Sequence, residues 1–303
     1  MAVYEIGNYI HDLRLERGYS QEDLSHGICS CGNLSKIENG TRMPSRKTVE
    51  ALMQRLGSEE SFLQYATREE LHQVEICNQI VESIAEKNYV QLEVLVEEFQ
   101  QMISEEDILN SQYCRFARTL IKQYKGMSME KVIVELEEIL HMTKPEYRDI
   151  ASITKGLLTY NEIVILINLA NSYADLSKRT EGIEILYGLK EYMDTHIIDA
   201  NEKMMKYPLI LFNLSNMLID EGYFEDVVEF CDLGIELCIR NNRLRLFPQF
   251  LVNKGVALME TGKKEQAKEL LRKGYNIFDA IQEQKECHHI KRYLFEKCGL
   301  KID

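Results

Sequence analysis

The sequence predicts an all-α protein, and three observations carry that reading. Proline is rare, at 4 of 303 residues, and alternating runs of Val, Ile and Thr are scarce, so little of the chain suits a pleated strand. Apolar residues recur at helical spacing along most of its length. Gly and Asn fall between the periodic stretches as punctuation. At this length the usual domain size gives about two domains.

The first domain is read over residues 1–66, and its clearest part is residues 20–40. Ser20 is suited to cap a short helix, with Asp23 three residues on to answer the free amides. Leu24 is the inward residue of that helix, and His26-Gly27 breaks it, since Gly accepts turn angles at little cost. Ser30 caps again, Leu34 and Ile37 share one face, and Gly40 closes the second helix. Helices this short are unstable alone. They make sense as a helix-turn-helix packed on flanking helices, carrying Arg14 and Arg17 before it and Leu52 and Leu56 after it.

After a linker over 67–72, residues 73–303 read as paired amphipathic helices. The approximate pairs are 73–87 with 90–103, 112–125 with 129–142, 159–176 with 180–195, 204–220 with 224–240, and 246–260 with 264–280, and a last helix spans 284–297. Lys87-Asn88, Gly126, Gly222 and Gly262 fall between helices, and Pro208 and Pro248 are placed near helix starts, where a missing amide is harmless. The last three pairs are self-similar. Leu169-Ala170 with Gly182 and Leu186 aligns with Leu214-Ser215 with Val227 and Cys231, and both align with Lys254-Gly255 with Ala267 and Leu271. Small residues recur where paired helices must approach.

Charge and cysteine content narrow the function classes. The net charge of −13 is unusual for a DNA binder, but residues 1–66 hold seven Lys/Arg and nine Asp/Glu, a net of −2, leaving −11 for the rest. Residues 36–55 carry Lys36, Arg42, Arg46, Lys47 and Arg55 against Glu38 and Glu50, a local +3 suited to phosphate contact. The 8 cysteines lack zinc-ribbon spacing. Cys29-Ser30-Cys31 and Cys287-His288-His289 are read as reduced thiols beside ordinary histidines in preference to a metal site. No cofactor or metal is expected. The longest apolar run, Ile163–Ile167, is far short of the roughly 18 residues of a membrane span, and no secretory leader pattern opens the chain. A cytoplasmic protein with no membrane contact is expected. The seven histidines are scattered without a nucleophile–base or phosphate-loop pattern, so no catalytic residues are expected and the chain is read as a non-enzyme.

At Gln21, Leu24, Leu34-Ser35-Lys36-Ile37-Glu38-Asn39-Gly40 and Arg42-Met43-Pro44-Ser45 the chain resembles the Xre/Cro type of helix-turn-helix domain. The later pairs resemble the tetratricopeptide repeat, in a degenerate form whose period is about 40–45 instead of ~34. That resemblance implies a right-handed superhelix of about five tetratricopeptide-like pairs with a C-terminal capping helix, its first helices lining a concave groove. Together the two halves resemble the peptide-pheromone-responsive regulators of Gram-positive bacteria (the Rgg, PlcR, PrgX and NprR group). The resemblance implies a cytoplasmic homodimer that binds double-stranded DNA and is controlled by a short signalling peptide in the groove. The alternative is a transcription factor whose repeats bind a protein partner.

Residue roles follow. Gln21 is expected at a phosphate, with Arg42, Arg46 and Lys47 as further phosphate contacts. Ser30, Cys31, Gly32, Asn33 and Lys36 take the base-facing positions. Lys36 can reach guanine acceptors and Asn33 can pair with adenine. Cys31 and Gly32 depart from the usual long polar readers, which shifts weight to Asn33, Lys36 and DNA shape. Asn168, Asn213 and Asn253 recur at one repeat position, with Asn171 and Asn216 three residues on. Asn has no propensity reason to recur inside apolar helices. Its amide donates and accepts at once, as a peptide backbone requires, so these five are the expected peptide contacts. Their alternative use is hydrogen bonding between neighbouring helices.

Overall fold

A computed structural model describes residues 3–57, 68–104, 107–147 and 156–298. The regular structure among the described residues is helical. The N-terminal part comprises α1 (Val3–Glu16), α2 (Gln21–Ser25), α3 (Cys31–Glu38) and α4 (Arg46–Leu56). The caps are those the sequence predicts. Ser20 accepts from the Asp23 amide while the Asp23 carboxylate accepts from the Ser20 amide, and Ser30 accepts from the Asn33 amide. Ser45, expected only as a motif residue, also caps α4, accepting from the Thr48 amide. Gly27 and Gly40 both adopt φ of +68°, the left-handed region where a side chain is costly. Ile10, Leu24, Leu34, Leu52 and Leu56 are fully buried and form one core with Ile37, Val49 and Met53. Leu157, from the segment before the third repeat pair, belongs to the same core. Arg17 lies one residue past the end of α1, not on it.

The repeat helices are α5 (Arg68–Ala85), α6 (Tyr89–Met102), α7 (Ile108–Tyr124), α8 (Met129–His141), α9 (Tyr160–Asp175), α10 (Arg179–Thr195), α11 (Ala200–Glu221), α12 (Phe224–Arg240), α13 (Phe247–Glu260), α14 (Lys264–Ala280) and α15 (Gln284–Cys298). This is the five-pair order with a final single helix that the periodicity predicts. Two details differ. Helix α5 begins at Arg68, so residues 68–72, expected as linker, are its opening turns; the expected boundary at 66/67 lies outside the described residues. Pro208 lies inside α11, not near its start. Pro lacks the N–H that would bond back four residues, to Met204. Burial of Tyr207, Pro208, Ile210 and Leu211 along that turn offsets the loss.

The chain forms two compact units, residues 1–200 and 201–303. In the first, Ile76, Ile80, Leu92, Val96, Phe99, Cys114 and Ala117 join α5, α6 and α7 into one core. In the second, glycines sit where helices come closest. A methyl at Gly234 would fall 2.4 Å from the Phe250 ring, and one at Gly255 would fall 2.8 Å from Leu271. Cys231 and Cys238, seven apart on α12, are both buried, as their spacing predicts.

Candidate nucleic-acid interface and the asparagines of the repeat helices

Helix α3 turns Leu34 and Ile37 inward and leaves Ser30, Cys31, Gly32 and Lys36 exposed, with Asn33 half-buried. A methyl group added at Gly32 would meet nothing within 4 Å, so the first turn of α3 is an open, narrow edge of the kind that fits a major groove. Arg42 is exposed and its Nη1 donates to Asn33 Oδ1 at 2.8 Å. The Asn33 side-chain carbonyl is thereby engaged, while its amide N–H₂ keeps its donor capacity.

Gln21 is already engaged. Its Nε2 donates to Glu38 Oε2 at 2.6 Å, and the Cys31 thiol lies 3.9 Å from its Oε1. Glu38 is buried and accepts two bonds from Arg14, at 2.7 and 2.8 Å. Burial pushes the Glu38 carboxyl up, but bonds from Arg14 and Gln21 outweigh it and hold it below the usual range. This triad fixes α1, α2 and α3 against one another behind the exposed first turn of α3.

The basic edge is smaller than the sequence count suggests. Lys47 is half-buried and paired with Asp107, the N-cap of α7. The Arg46 side chain lies outside the described residues. Arg55 is a correction: it is 1 % exposed and points inward, so it takes no part in a phosphate-facing surface. Its Nη1 donates to the carbonyls of Leu24 and His26, and its Nη2 lies 3.7 Å from the buried carboxylate of Glu162. A count of charges along the chain cannot show which way a side chain turns. The Thr159-x-x-Glu162 spacing before an apolar run was a readable signal that Glu162 caps α9.

The asparagines divide by environment. On α9, Asn168 donates to the Val164 carbonyl of its own helix at 2.8 Å, and Asn171 is half-exposed. In the second unit, Asn213 is half-exposed and Asn216 exposed. Asn253 is only 8 % exposed. Its Nδ2 donates to Ser215 Oγ at 2.9 Å and to Asn216 Oδ1 at 2.7 Å. In this structure Asn253 therefore braces α13 against α11, the alternative use of an amide at that position, and it orients Asn216. Asn171 and Asn213 make no side-chain hydrogen bond among the described residues and keep their full donor and acceptor capacity.

No helix among the described residues is long and apolar enough to cross a membrane. A helix-turn-helix family model matches residues 10–63, and the model of the RNPP family C-terminal domain matches residues 77–295. No curated protein matches the chain. Among solved structures the chain is similar to Bacillus thuringiensis PlcR in complex with the peptide PapR7 and DNA. The identity is 19% over 95% of this chain and 99% of that chain, with a TM-score of 0.61. It is similar to the apo form of the competence regulator ComR from Streptococcus vestibularis, at 16% identity over 98% and 99% of the chains and a TM-score of 0.58. The same regulator in complex with its cognate signaling peptide XIP gives 15% identity over 97% and 98%, with a TM-score of 0.53. At these identities the likeness is one of fold.

Proposed function

The chain belongs to the RNPP family, and from that premise we propose that it is a cytoplasmic transcription regulator that binds operator DNA as a homodimer under the control of a short signalling peptide. The observation that carries the DNA half is the capped α2–turn–α3 unit, whose inner side is Leu34 and Ile37 and whose outer side offers Ser30, Cys31, Gly32, Asn33 and Lys36. Lys36 and Asn33 read bases, and Arg42, Lys47 and Arg46 hold phosphates. Gln21 reaches a phosphate only by giving up Glu38. One α3 reads too few base pairs for an operator, which is the reason for a dimer on two half-sites.

The peptide half is supported by Asn171 and Asn213, whose amides are uncommitted, and by Asn168 and Asn216, which each spend one function internally and keep the other. Asn253 acts through Asn216. An extended peptide needs such donor–acceptor pairs at intervals to satisfy its backbone. Control requires that peptide bind one arrangement of the dimer better than another.

The test is a titration of the purified full-length chain with synthetic peptides encoded by short reading frames beside its gene. Affinity for the duplex upstream of that gene and dimer mass by light scattering are measured at each step. At least one peptide changes both, and Asn213→Ala weakens that peptide's binding about tenfold, the worth of one hydrogen bond of ~1.4 kcal/mol. DNA affinity and dimer mass indifferent to every peptide would sink the proposal.

A further inference from the structure

The first unit holds a buried ion pair that neither base reading nor peptide contact uses. Arg55 on α4 and Glu162 on α9 have side chains with no exposed surface. Arg55 clasps the carbonyls of Leu24 and His26, which end α2 and begin the turn into α3. Glu162 closes the α9 capping box, its Oε2 accepting from the Thr159 amide at 2.6 Å, and its Oε1 accepts from the Thr143 hydroxyl at 2.6 Å. Gln112 on α7 donates to that same hydroxyl at 2.8 Å. Lys144, also buried, is the second cation facing Glu162. One carboxylate is thus fixed by several elements and stands as counter-charge, 3.7 Å away and without a hydrogen bond, to the guanidinium that holds the turn.

Two backbone approaches near the pair are close. A methyl at Gly27 would lie 1.8 Å from the Thr143 carbonyl oxygen, and one at Gly57 would lie 2.7 Å from that of Ile197. Sliding Arg55 out of register would strip it of its counter-charge and its two carbonyls, with no water to replace them.

We propose that Arg55 is a positioning residue for DNA binding that works from inside the protein: with Glu162 it fastens the α2–α3 turn to the N-terminus of α9, so that α9 and the reading helix move as one body. A displacement of α9 then reaches α3 directly, without passing through the segment that follows α4. The peptide reading of Asn168 and Asn171 supplies only the source of that displacement; the fastening rests on the seam itself.

The experiment compares the full-length chain with the double variant Arg55→Met/Glu162→Leu, which removes both charges and keeps their volume. Hydrogen exchange and affinity for the duplex upstream of the gene are read together. The expected result is at least tenfold faster exchange confined to residues 22–30 and 160–166, with a single cooperative melt whose midpoint falls because Lys144 loses its counter-charge. Affinity for that duplex falls about tenfold. A pair with a purely structural role would instead speed exchange throughout and leave the affinity of the folded protein unchanged, and that result overturns the proposal. So does acceleration in only one of the two segments. Should the double variant fail to fold, Thr143→Val removes the hydroxyl bound to Glu162 and keeps both charges; exchange must rise about threefold in the same two segments, and no rise overturns the proposal. Failure of the unaltered chain to prefer its upstream duplex counts against the regulator reading alone, and exchange then decides the fastening.

Discussion

Glu38 shows how a single buried side chain holds α3 in place. It is buried and takes bonds from Arg14 and Gln21, which hold its carboxyl below the ordinary range. A carboxyl depressed in the folded state stabilises above its unfolded value of about 4.3, and that contribution is lost as pH falls through the folded value. Glu38→Gln is therefore expected to cost about 3 kcal/mol at pH 7, because it leaves Arg14 buried without its counter-charge. The gap from the unaltered chain narrows below about pH 4. Urea melts of both proteins at pH 7 and at pH 3.5 check this; a gap independent of pH would show that Glu38 acts through shape alone. Arg14 and Glu38 were visible in the sequence only as motif positions, because their bond joins two helices. Gln21 was expected at a phosphate for the same reason: its position at the helix start was legible, and its engagement with Glu38 was not.

The turns test the element scale. Gly18 and Gly27 both have positive φ, +72° and +68°. Beyond Gly18 a methyl meets nothing, whereas at Gly27 it meets the Thr143 backbone. Gly18→Ala is expected to cost about 1 kcal/mol, the backbone strain alone. Gly27→Ala is expected to cost about 3 kcal/mol, since the methyl adds overpacking to strain. Urea melts of the two full-length variants compare them directly, and equal losses would mean that the Thr143 backbone yields freely. Local signals made most elements legible. The Ser20 and Ser30 caps, the glycines after α2 and α3, and the helical period of the repeats each act within a few residues. Pro208 misled because an apolar period does not mark where a helix starts, and α11 runs two turns ahead of it. The recurring asparagines were legible as a column, but only packing shows that Asn253 spends its amide on Ser215 and Asn216.

For the whole molecule, charge sets the conditions under which DNA is bound. A net −13 repels DNA, and with Arg55 buried the proposed interface draws its attraction from Lys36, Arg42, Lys47 and Arg46. Lys47 contributes only after leaving Asp107. If Arg42, Arg46 and Lys47 each meet a phosphate, a dimer makes about six contacts, so log affinity should fall with log salt at a slope of about −5. Between 50 and 200 mM salt that is roughly a thousandfold loss. Lys47→Gln should shallow the slope by about two in a dimer; binding titrations at four salt concentrations measure it, and an unchanged slope would leave Lys47 with Asp107. The seat of the DNA-binding helices has a further consequence, in the order of synthesis. Helices α1–α4 precede the repeat helices along the chain, yet Leu157 completes their core, Glu162 is the counter-charge of Arg55 and the backbone at Ile197 packs on Gly57. Closing contacts so distant along the chain is slow and entropically costly. The N-terminal domain, synthesised before the repeats, is therefore finished only once the segment after α10 has emerged, and until then it carries an unpaired arginine and an uncovered apolar face of the kind chaperones bind.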